Sequence, residues 1–297
     1  MNFYKQPTIT EQRGERPLLL YSRIEGPISD LTLLQRGLLF AEIAMIAYND
    51  EMEVRRAAEA IGFSFVSFMN NDGSQAFCLR NDHDCVLACR GTELSDWNDI
   101  RADVNVGTVL IETLGRVHRG FNREVDDIWP FCQKEMHLHE LPIYFCGHSL
   151  GGAMATICAA RARGPMVRCK PRELFTYGSP RVGCKKYIRS CELNYYRFVN
   201  NNDIVTRMPP VWLGYQHSGQ EVYFNRNGDV KQYGYLLKRR DRWKAFLRGL
   251  LQRKIDHLSD HSIQAYCDHL LKAVRNELEE GEQSRSAVIA SGGLRSS

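Results

Sequence analysis

Hydrophobic and polar positions along the 297-residue chain switch between helical and strand-like spacing. A helix-like run covers 31–48. Strand-like runs follow at 61–70, 75–80 and 84–90, with a hairpin turn at Asn81-Asp82, and again near 141, 173 and 194, where they alternate with helices. Such alternation is typical of a mainly parallel sheet. The pattern therefore predicts an α/β fold, with a central sheet flanked by helices and an antiparallel N-terminal portion.

The chain has no Ser/Gly-rich or Pro-rich linker and no visible internal repeat, so we expect one domain over 31–278. Residues 1–30 form an N-terminal extension in this interpretation. Residues 279–297 contain a Ser/Gly-rich stretch and are expected to be a disordered tail.

One segment, 236–255, combines an apolar helical stripe with many positive charges. Eight basic residues accompany a single acid, Asp241, between 238 and 254. A basic amphipathic helix that carries Trp and Phe is suited to an anionic membrane surface. The alternative is that the stripe packs on the domain core and the basic face is solvated.

The whole chain is nearly balanced in charge, with 39 Lys and Arg against 35 Asp and Glu. No nucleic-acid-binding motif is recognisable, so nucleic acid is not an expected partner. Residues 1–30 lack the pattern of a signal peptide, and no apolar run approaches the ~20 residues of a membrane span. The ten cysteines form no C-x-x-C pair and lie mostly in apolar runs, as in a reduced compartment. We expect a cytoplasmic protein with the capacity for peripheral membrane binding.

The strongest chemical signal is Gly147-His148-Ser149-Leu150-Gly151. A strand-like run, 141–146, precedes it, and an Ala/Gly-rich helix-like run follows and stops at Gly164-Pro165. Strand, tight turn and helix are what a nucleophile elbow requires, because the glycines leave room for a strained backbone that exposes a serine Oγ. Ser149 is therefore a candidate nucleophile. The alternative is a core serine that happens to lie between glycines.

A nucleophilic serine needs a base and an acid that orients the base, and in this arrangement both follow the serine along the chain. Asp203 ends the segment 195–203 where a β-rich run gives way to polar turn residues. A carboxylate at the C-terminal end of a strand would face the same edge of the sheet as Ser149. Asp203 could equally be an ordinary turn residue, since Asn-Asn-Asn-Asp is a turn composition by itself.

Four histidines follow Asp203 and remain candidates for the base: His217, His257, His261 and His269. His217 lies between two apparent strands of a hairpin, close after Asp203 in the chain. His261 directly precedes a helix-like run, a position from which an imidazole can reach a serine. Spacing alone does not choose among the four.

Acyl transfer also needs hydrogen-bond donors aimed at the developing oxyanion. The backbone N–H of Leu150 is one candidate, because the first N–H groups of a helix lack intrahelical partners. Thr92 is the other, with its backbone N–H and Oγ, since it follows the strand-like run 85–90 and Gly91. A simple strand-terminating Gly-Thr turn would have the same sequence.

Together, these motifs resemble the class 3 lipase family, the fungal-lipase-like branch of the α/β hydrolases, in the form of a bacterial-type member. The matching segments run in the family's order from about 40 to 270: Arg90-Gly91-Thr92-Glu93 with Asp96-Trp97 and Asp99, His118-Arg119-Gly120-Phe121, Gly147 to Ala153, Thr176 to Gly183, Val199-Asn200 with Asp203 and Pro209-Pro210, Gly214 to His217 with Gly219, and Asp260-His261-Ser262 with Tyr266.

The resemblance implies Ser149 as nucleophile, Asp203 as acid and His261 as base, with Thr92 and Leu150 as the oxyanion hole. It also implies ester hydrolysis through an acyl-enzyme, without a metal or cofactor, and a lid within 94–110. Lipid esters are the expected substrates of such a lipase; phospholipase A1 and short-chain carboxylesterase activities are alternatives. A non-catalytic protein that binds a membrane or a partner is the alternative from another class.

Overall fold

A computed structural model describes residues 7–10, 18–91, 107–111, 115–165, 167–190, 193–231 and 259–292. The strands are β1 Thr8–Thr10, β2 Leu18–Leu20, β3 Phe65–Asn71, β4 Ser74–Arg80, β5 Cys85–Cys89, β6 Thr108–Ile111, β7 Gly115–His118, β8 Ile143–His148, β9 Pro171–Tyr177, β10 Gly183–Cys184, β11 Tyr195–Asn200, β12 Tyr215–Gln216, β13 Gln220–Phe224 and β14 Val230–Lys231. The α-helices are α1 Leu33–Ile46, α2 Glu51–Ile61, α3 Arg119–His137, α4 Leu150–Ala162, α5 Lys185–Ser190 and α6 Ile263–Gly292.

The central sheet has eight strands in the order β14-β13-β11-β9-β8-β5-β4-β3. The five strands from β13 to β5 run parallel, whereas β3, β4 and β14 pair antiparallel to their neighbours. This agrees with the expected mainly parallel sheet that has an antiparallel N-terminal portion. The carboxyl ends of β8, β9 and β11 lie side by side at one edge of the sheet.

Alternating side chains of the strands enter two separate cores, one on each face of the sheet. Tyr144 and Cys146 of β8 pack with helices α1, α2 and α6 on one face. Ile143 and Phe145 of the same strand pack with α3 and α4 on the other. Burial on both faces explains why β8 is apolar throughout, because a central parallel strand has no solvated side.

Helix α2 lies where the sequence pattern predicted the start of a strand at 61. Asp50 caps its N-terminus by accepting a hydrogen bond from the Glu53 N–H, and Gly62 ends it in the left-handed region at φ 117°. Val54 and Ile61 are buried seven residues apart, the spacing of one helical face. The strand that follows begins at Phe65.

The described part of the predicted N-terminal extension, 18–30, packs into the same core as α1. Leu20 and Ile28 are buried there, and the Ile24 N–H donates to the carbonyl of Ile61. These residues therefore share a core with the predicted domain.

Helix α6 continues to Gly292, past residue 279, at which the predicted tail begins. Two features favour the helix. Leu270 and Val274 anchor its first turns in the core, and the residues beyond 278 include strong helix formers such as Glu279 and Glu280.

A second, four-stranded sheet in the order β12-β10-β7-β6 lies beside the first. In it, β12 pairs with β10, whereas β13 joins the central sheet parallel to β11. The two strands that flank His217 are therefore not a hairpin, and that expectation was wrong. Of the expected lid, 94–106 lies outside the described residues, and 108–110 is part of β6. The basic segment 236–255 also lies outside them.

Among the described residues, no helix is both long enough and apolar enough to cross a membrane.

Candidate active site

Ser149 lies at the junction of β8 and α4 with a strained backbone. Its φ is 57° and its ψ is −128°, a combination that residues other than glycine rarely adopt. The flanking glycines permit this turn, because a Cβ at Gly147 would collide with the backbone of Gly151. A Cβ at Gly151 would in turn collide with the carbonyl oxygen of Cys89 on β5. The tight strand-to-helix turn predicted from the sequence is therefore present.

Ser149, His261 and Asp203 are joined by hydrogen bonds. The Oγ of Ser149 lies 2.8 Å from Nε2 of His261, and Nδ1 of His261 lies 2.9 Å from Oδ2 of Asp203. His261 and Asp203 are completely buried, and Ser149 is 2% exposed. Because a carboxylate only accepts, the Nδ1–H donates to Asp203 and leaves Nε2 free to accept the Ser149 proton.

Two further donors hold the carboxylate of Asp203 in place. Its Oδ1 accepts from the Val205 N–H at 2.9 Å, and its Oδ2 accepts from the Tyr266 hydroxyl at 2.6 Å. The same hydroxyl accepts from the Asn200 N–H at 3.0 Å. The carboxylate therefore makes three hydrogen bonds in a dry site, which is how a buried charge is kept in one orientation.

His148 forms a second support on the opposite side of His261. Its Nε2 lies 2.7 Å from the carbonyl oxygen of His261, and its Nδ1 lies 2.9 Å from the hydroxyl of Tyr48. A carbonyl only accepts, so Nε2 carries the hydrogen and Nδ1 accepts from Tyr48. Burial lowers the pKa of His148 well below its usual value, and nearby His261 lowers it further. Neutral His148 therefore links the turn after α1 to the loop that carries His261 by two hydrogen bonds.

Gly178, at the carboxyl end of β9, provides the space for the Asp203–His261 pair. Its φ is +59°, and a Cβ there would lie 2.7 Å from Oδ2 of Asp203 and 2.8 Å from Nδ1 of His261. The sequence motif contained this glycine, but nothing in the residue pattern indicated which groups it would face.

Asp260 ties the loop before α6 to the loop that follows β11. Its carbonyl oxygen accepts from the side-chain amide of Asn200 at 3.0 Å, and its carboxylate accepts from the Asn202 N–H at 3.3 Å. The base and the acid are thus fixed relative to each other by their neighbours.

The other histidines that follow Asp203 have different surroundings. Nε2 of His217 donates at 2.6 Å to the carbonyl of Thr206, three residues after Asp203. His269 packs its ring against Phe224. His257 lies outside the described residues. Of the three that the structure describes, His261 is the one that reaches Ser149.

One of the two predicted oxyanion donors can be placed. Leu150 is the first residue of α4, so its N–H has no partner four residues earlier in the helix. Thr92 lies outside the described residues. Its neighbour Gly91 is buried against the elbow, where a Cβ would lie 2.6 Å from the carbonyl oxygen of His148. Among the described residues, no three His, Cys, Asp or Glu side chains are grouped as metal ligands.

The sheet order, the elbow and the hydrogen-bonded Ser, His and Asp side chains define an α/β-hydrolase fold. Residues 86–212 match the family described as Lipase (class 3). The match covers less than half of the chain, and it includes Ser149 and Asp203.

Three relatives illustrate the similarity. Toxin TseL of Vibrio cholerae is 36% identical over 122 residues, which are 38% of this chain and 18% of the toxin. A lipase of Rhizopus niveus is 34% identical over 118 residues, 36% of this chain and 30% of the lipase. The solved structure of lipase II from Rhizopus niveus superimposes with a TM-score of 0.54 at 24% identity, covering 64% of this chain and 80% of that one.

The matched segments thus span less than a third of these two relatives in sequence, and the solved structure extends the likeness at the level of the fold.

Proposed function

We propose that the protein is a serine ester hydrolase of the lipase type, a carboxylic ester hydrolase that forms an acyl-enzyme on Ser149. The observation that carries this proposal is the unbroken hydrogen-bond series from Ser149 through His261 to Asp203 at a strained elbow. A core serine would not need a backbone strained in this way, nor a buried imidazole that is held in one tautomer.

In the proposed mechanism, His261 takes the Ser149 proton as Oγ attacks the acyl carbonyl. It then returns the proton to the leaving alcohol and activates the water that hydrolyses the acyl-enzyme. Asp203 fixes the imidazole and stabilises its protonated form. The N–H of Leu150 stabilises the oxyanion, together with Thr92. Neither a metal nor a cofactor takes part.

Lipid esters such as acylglycerols are the proposed substrates. The match of 86–212 to the family model and the names of the relatives, two lipases among them, support this class. Phospholipase A1 and short-chain carboxylesterase activities differ from it in the acyl groove and the head group, so they are separate outcomes of the same assay.

Labelling with an alkyl fluorophosphonate, followed by mass mapping of the adduct, tests the nucleophile. We expect a single adduct on Ser149 and hydrolysis that rises with acyl length and with emulsified substrate. Activity confined to short soluble esters would indicate a carboxylesterase. If no adduct forms, the protein is a non-catalytic binding protein and the proposal is wrong.

Substitutions test the assignment of the triad. Ser149→Ala and His261→Ala should each reduce turnover by on the order of 10⁶, because the two residues act as a unit. His269→Ala and His257→Ala are the matched controls and should remain active. Retained activity in Ser149→Ala would overturn the assignment.

We also propose that the basic segment 238–254 binds anionic membranes. The sequence supports this with its eight basic residues and apolar stripe. Neutralising these charges should weaken binding to anionic vesicles, and unchanged binding would contradict the proposal. With such binding, the protein would act in the cytoplasm as a peripheral membrane enzyme.

A further inference from the structure

The second sheet and the loops around it are rich in basic residues, although Glu112 lies between β6 and β7 in the sequence and Glu192 follows α5. We use the name basic lobe for residues 107–111, 115–119, 179–190 and 204–219. These segments contain no Asp or Glu and seven basic residues: Arg116, Arg119, Arg181, Lys185, Lys186, Arg189 and Arg207. All of these except Arg181 are exposed. These segments are one of two concentrations of positive charge in the chain, and the basic segment 238–254 is the other.

The segments of the basic lobe form one continuous body. Strands β12, β10, β7 and β6 pair in that order, and α5 packs against β7, β10 and β12. The Arg119 N–H donates to the carbonyl of Gly107 at 3.2 Å, and the Arg181 N–H donates to that of Met208 at 2.7 Å. The positive charges are therefore held in a fixed arrangement.

A short 3-10 turn, Val211–Leu213, projects an apolar tip from this lobe. Val211, Trp212 and Leu213 are 53%, 85% and 51% exposed, and they lie between Pro210 and Gly214. Consecutive large apolar side chains on a protein surface indicate an interaction site. Tryptophan in particular is enriched at the boundary between water and lipid, where its ring is apolar and its N–H remains hydrogen-bonded.

The tip lies on the same edge of the molecule as the candidate active site. The loop that carries it begins directly after Asp203, and the guanidinium of Arg181 donates to the carbonyl of Pro209 at 2.9 Å. Ser179, at the start of the same lobe, is close to the elbow. A Cβ added at Gly152 of the elbow helix would lie 2.8 Å from the Cβ of Ser179. The loop that carries the tip is thus anchored beside the carboxyl ends of the parallel strands.

We propose that the basic lobe binds an anionic bilayer, with the Val211–Leu213 tip inserted among the lipid head groups. An excess of positive charge complements an anionic leaflet, and the apolar tip adds the insertion that charge alone does not provide. The inference rests on the proposed function, because it names the surface from which a lipid hydrolase would take its substrate. It is separate from the segment 238–254.

Vesicle binding of purified protein tests this inference. The parent is Ser149→Ala, so that the lipid is not consumed, and the vesicles are phosphatidylcholine with and without phosphatidylglycerol. One variant combines Val211→Ser, Trp212→Ser and Leu213→Ser. A second variant combines Arg116→Gln, Lys185→Gln and Lys186→Gln.

We expect each variant to bind anionic vesicles at least about tenfold more weakly. The charge variant loses three basic residues, and each basic residue near an anionic leaflet contributes roughly fivefold to binding. The tip variant loses the apolar side chains that insert among the head groups. The tip variant should also lose a shift of tryptophan emission to shorter wavelength that the parent shows on binding. Two matched controls should bind like the parent. One is Met52→Ser, which alters an apolar side chain that is 63% exposed on α2. The other combines Arg23→Gln, Arg56→Gln and Arg168→Gln.

Three outcomes would overturn the inference. The first is parent-like binding by both lobe variants, and the second is equal binding of the parent to neutral and anionic vesicles. The third is that only neutralisation of 238–254 weakens binding.

Hydrolysis of a soluble short-chain ester separates this inference from the proposed function. With Ser149 present, both lobe variants should hydrolyse the ester at the unmodified rate, which also shows that they are folded. If the unmodified protein does not hydrolyse the ester, the proposed function fails, whereas vesicle binding still decides the role of the lobe.

Discussion

Two buried carboxyl groups, Asp203 and Glu42, occupy different parts of the molecule and have different partners. Asp203 contacts an imidazole, His261, which becomes a cation when it accepts a proton. Glu42, on α1, accepts hydrogen bonds from the backbone N–H groups of Tyr21 at 2.7 Å and Ser22 at 2.9 Å. Burial raises the pKa of Glu42 to about 7, and these hydrogen bonds oppose the shift only in part.

The difference shows what makes a buried carboxyl useful for catalysis. Both groups are almost fully shielded from water, so burial does not distinguish them. Asp203 faces a partner whose charge changes during a reaction, and it can stabilise that charge. Glu42 faces only neutral donors, so its role is to clamp residues 21–22 against α1.

The largest effect should come from removing each negative charge while keeping the shape of the side chain. Asp203→Asn should reduce kcat by on the order of 10⁴, because the imidazole loses both its orientation and its counter-charge. Glu42→Gln should leave kcat within about twofold, since it has no contact with the triad. Steady-state hydrolysis of a soluble ester measures both, and similar losses in the two variants would contradict the comparison.

A smaller loss is expected when the Asp203–His261 pair is displaced rather than altered. Gly178→Ala would place a methyl group 2.7 Å from Asp203 Oδ2, at a φ of +59° that alanine disfavours. Activity should fall about 10²-fold, as expected for displacement of catalytic groups by about 1 Å.

Gly73→Ala is the control for the backbone effect, because Gly73 also has a positive φ, +91°, but a Cβ there would meet nothing within 4 Å. Its activity should be unchanged. Equal kinetics in the two alanine variants would show that Gly178 does not position the pair.

The clamp at Glu42 should make stability depend on pH. Its pKa is raised from 4.5 to about 7 in the folded protein, so the folded state binds more protons than the unfolded state between these values. Stability from this group is therefore lost as the pH rises from 4.5 to 7, by roughly 3 kcal/mol. Urea unfolding of the protein and of Glu42→Gln at several pH values measures this as a difference between the two.

The stability of the protein is compared with that of Glu42→Gln at each pH because the buried histidines change stability in the opposite direction. The pKa values of His148 and His217 are lowered by burial, so they raise stability as the pH increases toward 6.5. Glu59→Gln, an exposed change on α2, is the control. A constant difference between the protein and Glu42→Gln across this range would contradict the assignment.

The smallest effect should follow removal of a single hydroxyl from the triad. Tyr266→Phe takes away one of the donors to Asp203 and should reduce kcat about tenfold with KM unchanged, since a hydrogen bond to a charged group contributes roughly 1.5 kcal/mol. Tyr144→Phe removes a buried hydroxyl elsewhere and should have no kinetic effect. A change confined to KM would instead indicate that Tyr266 acts on substrate binding.

The elbow was predictable because its signal is local. Strand, glycines and helix lie within a few residues of Ser149, and the glycine spacing follows from the steric limits of the turn. The alternation of strands and helices was predictable for the same reason, since each βα unit has its own hydrophobic period.

Other features depend on contacts between distant residues, and no local pattern contains them. The sequence left four histidines open, and His261 is distinguished by its position beside Asp203 at the end of a loop that Asp260 ties down. The two strands around His217 look like a hairpin until their partners in two different sheets are known. Glu42 reads as a surface residue of a helix, and its burial depends on the segment 18–24 that covers it.

The packing of α6 against α1 has a consequence for synthesis of the chain. Translation produces the elbow and the Asp203 loop before His261 and the helix that holds it in place. Until α6 docks, the nascent protein has a nucleophile without its base. In the proposed mechanism, the order of these residues along the chain thus delays ester cleavage until α6 has docked.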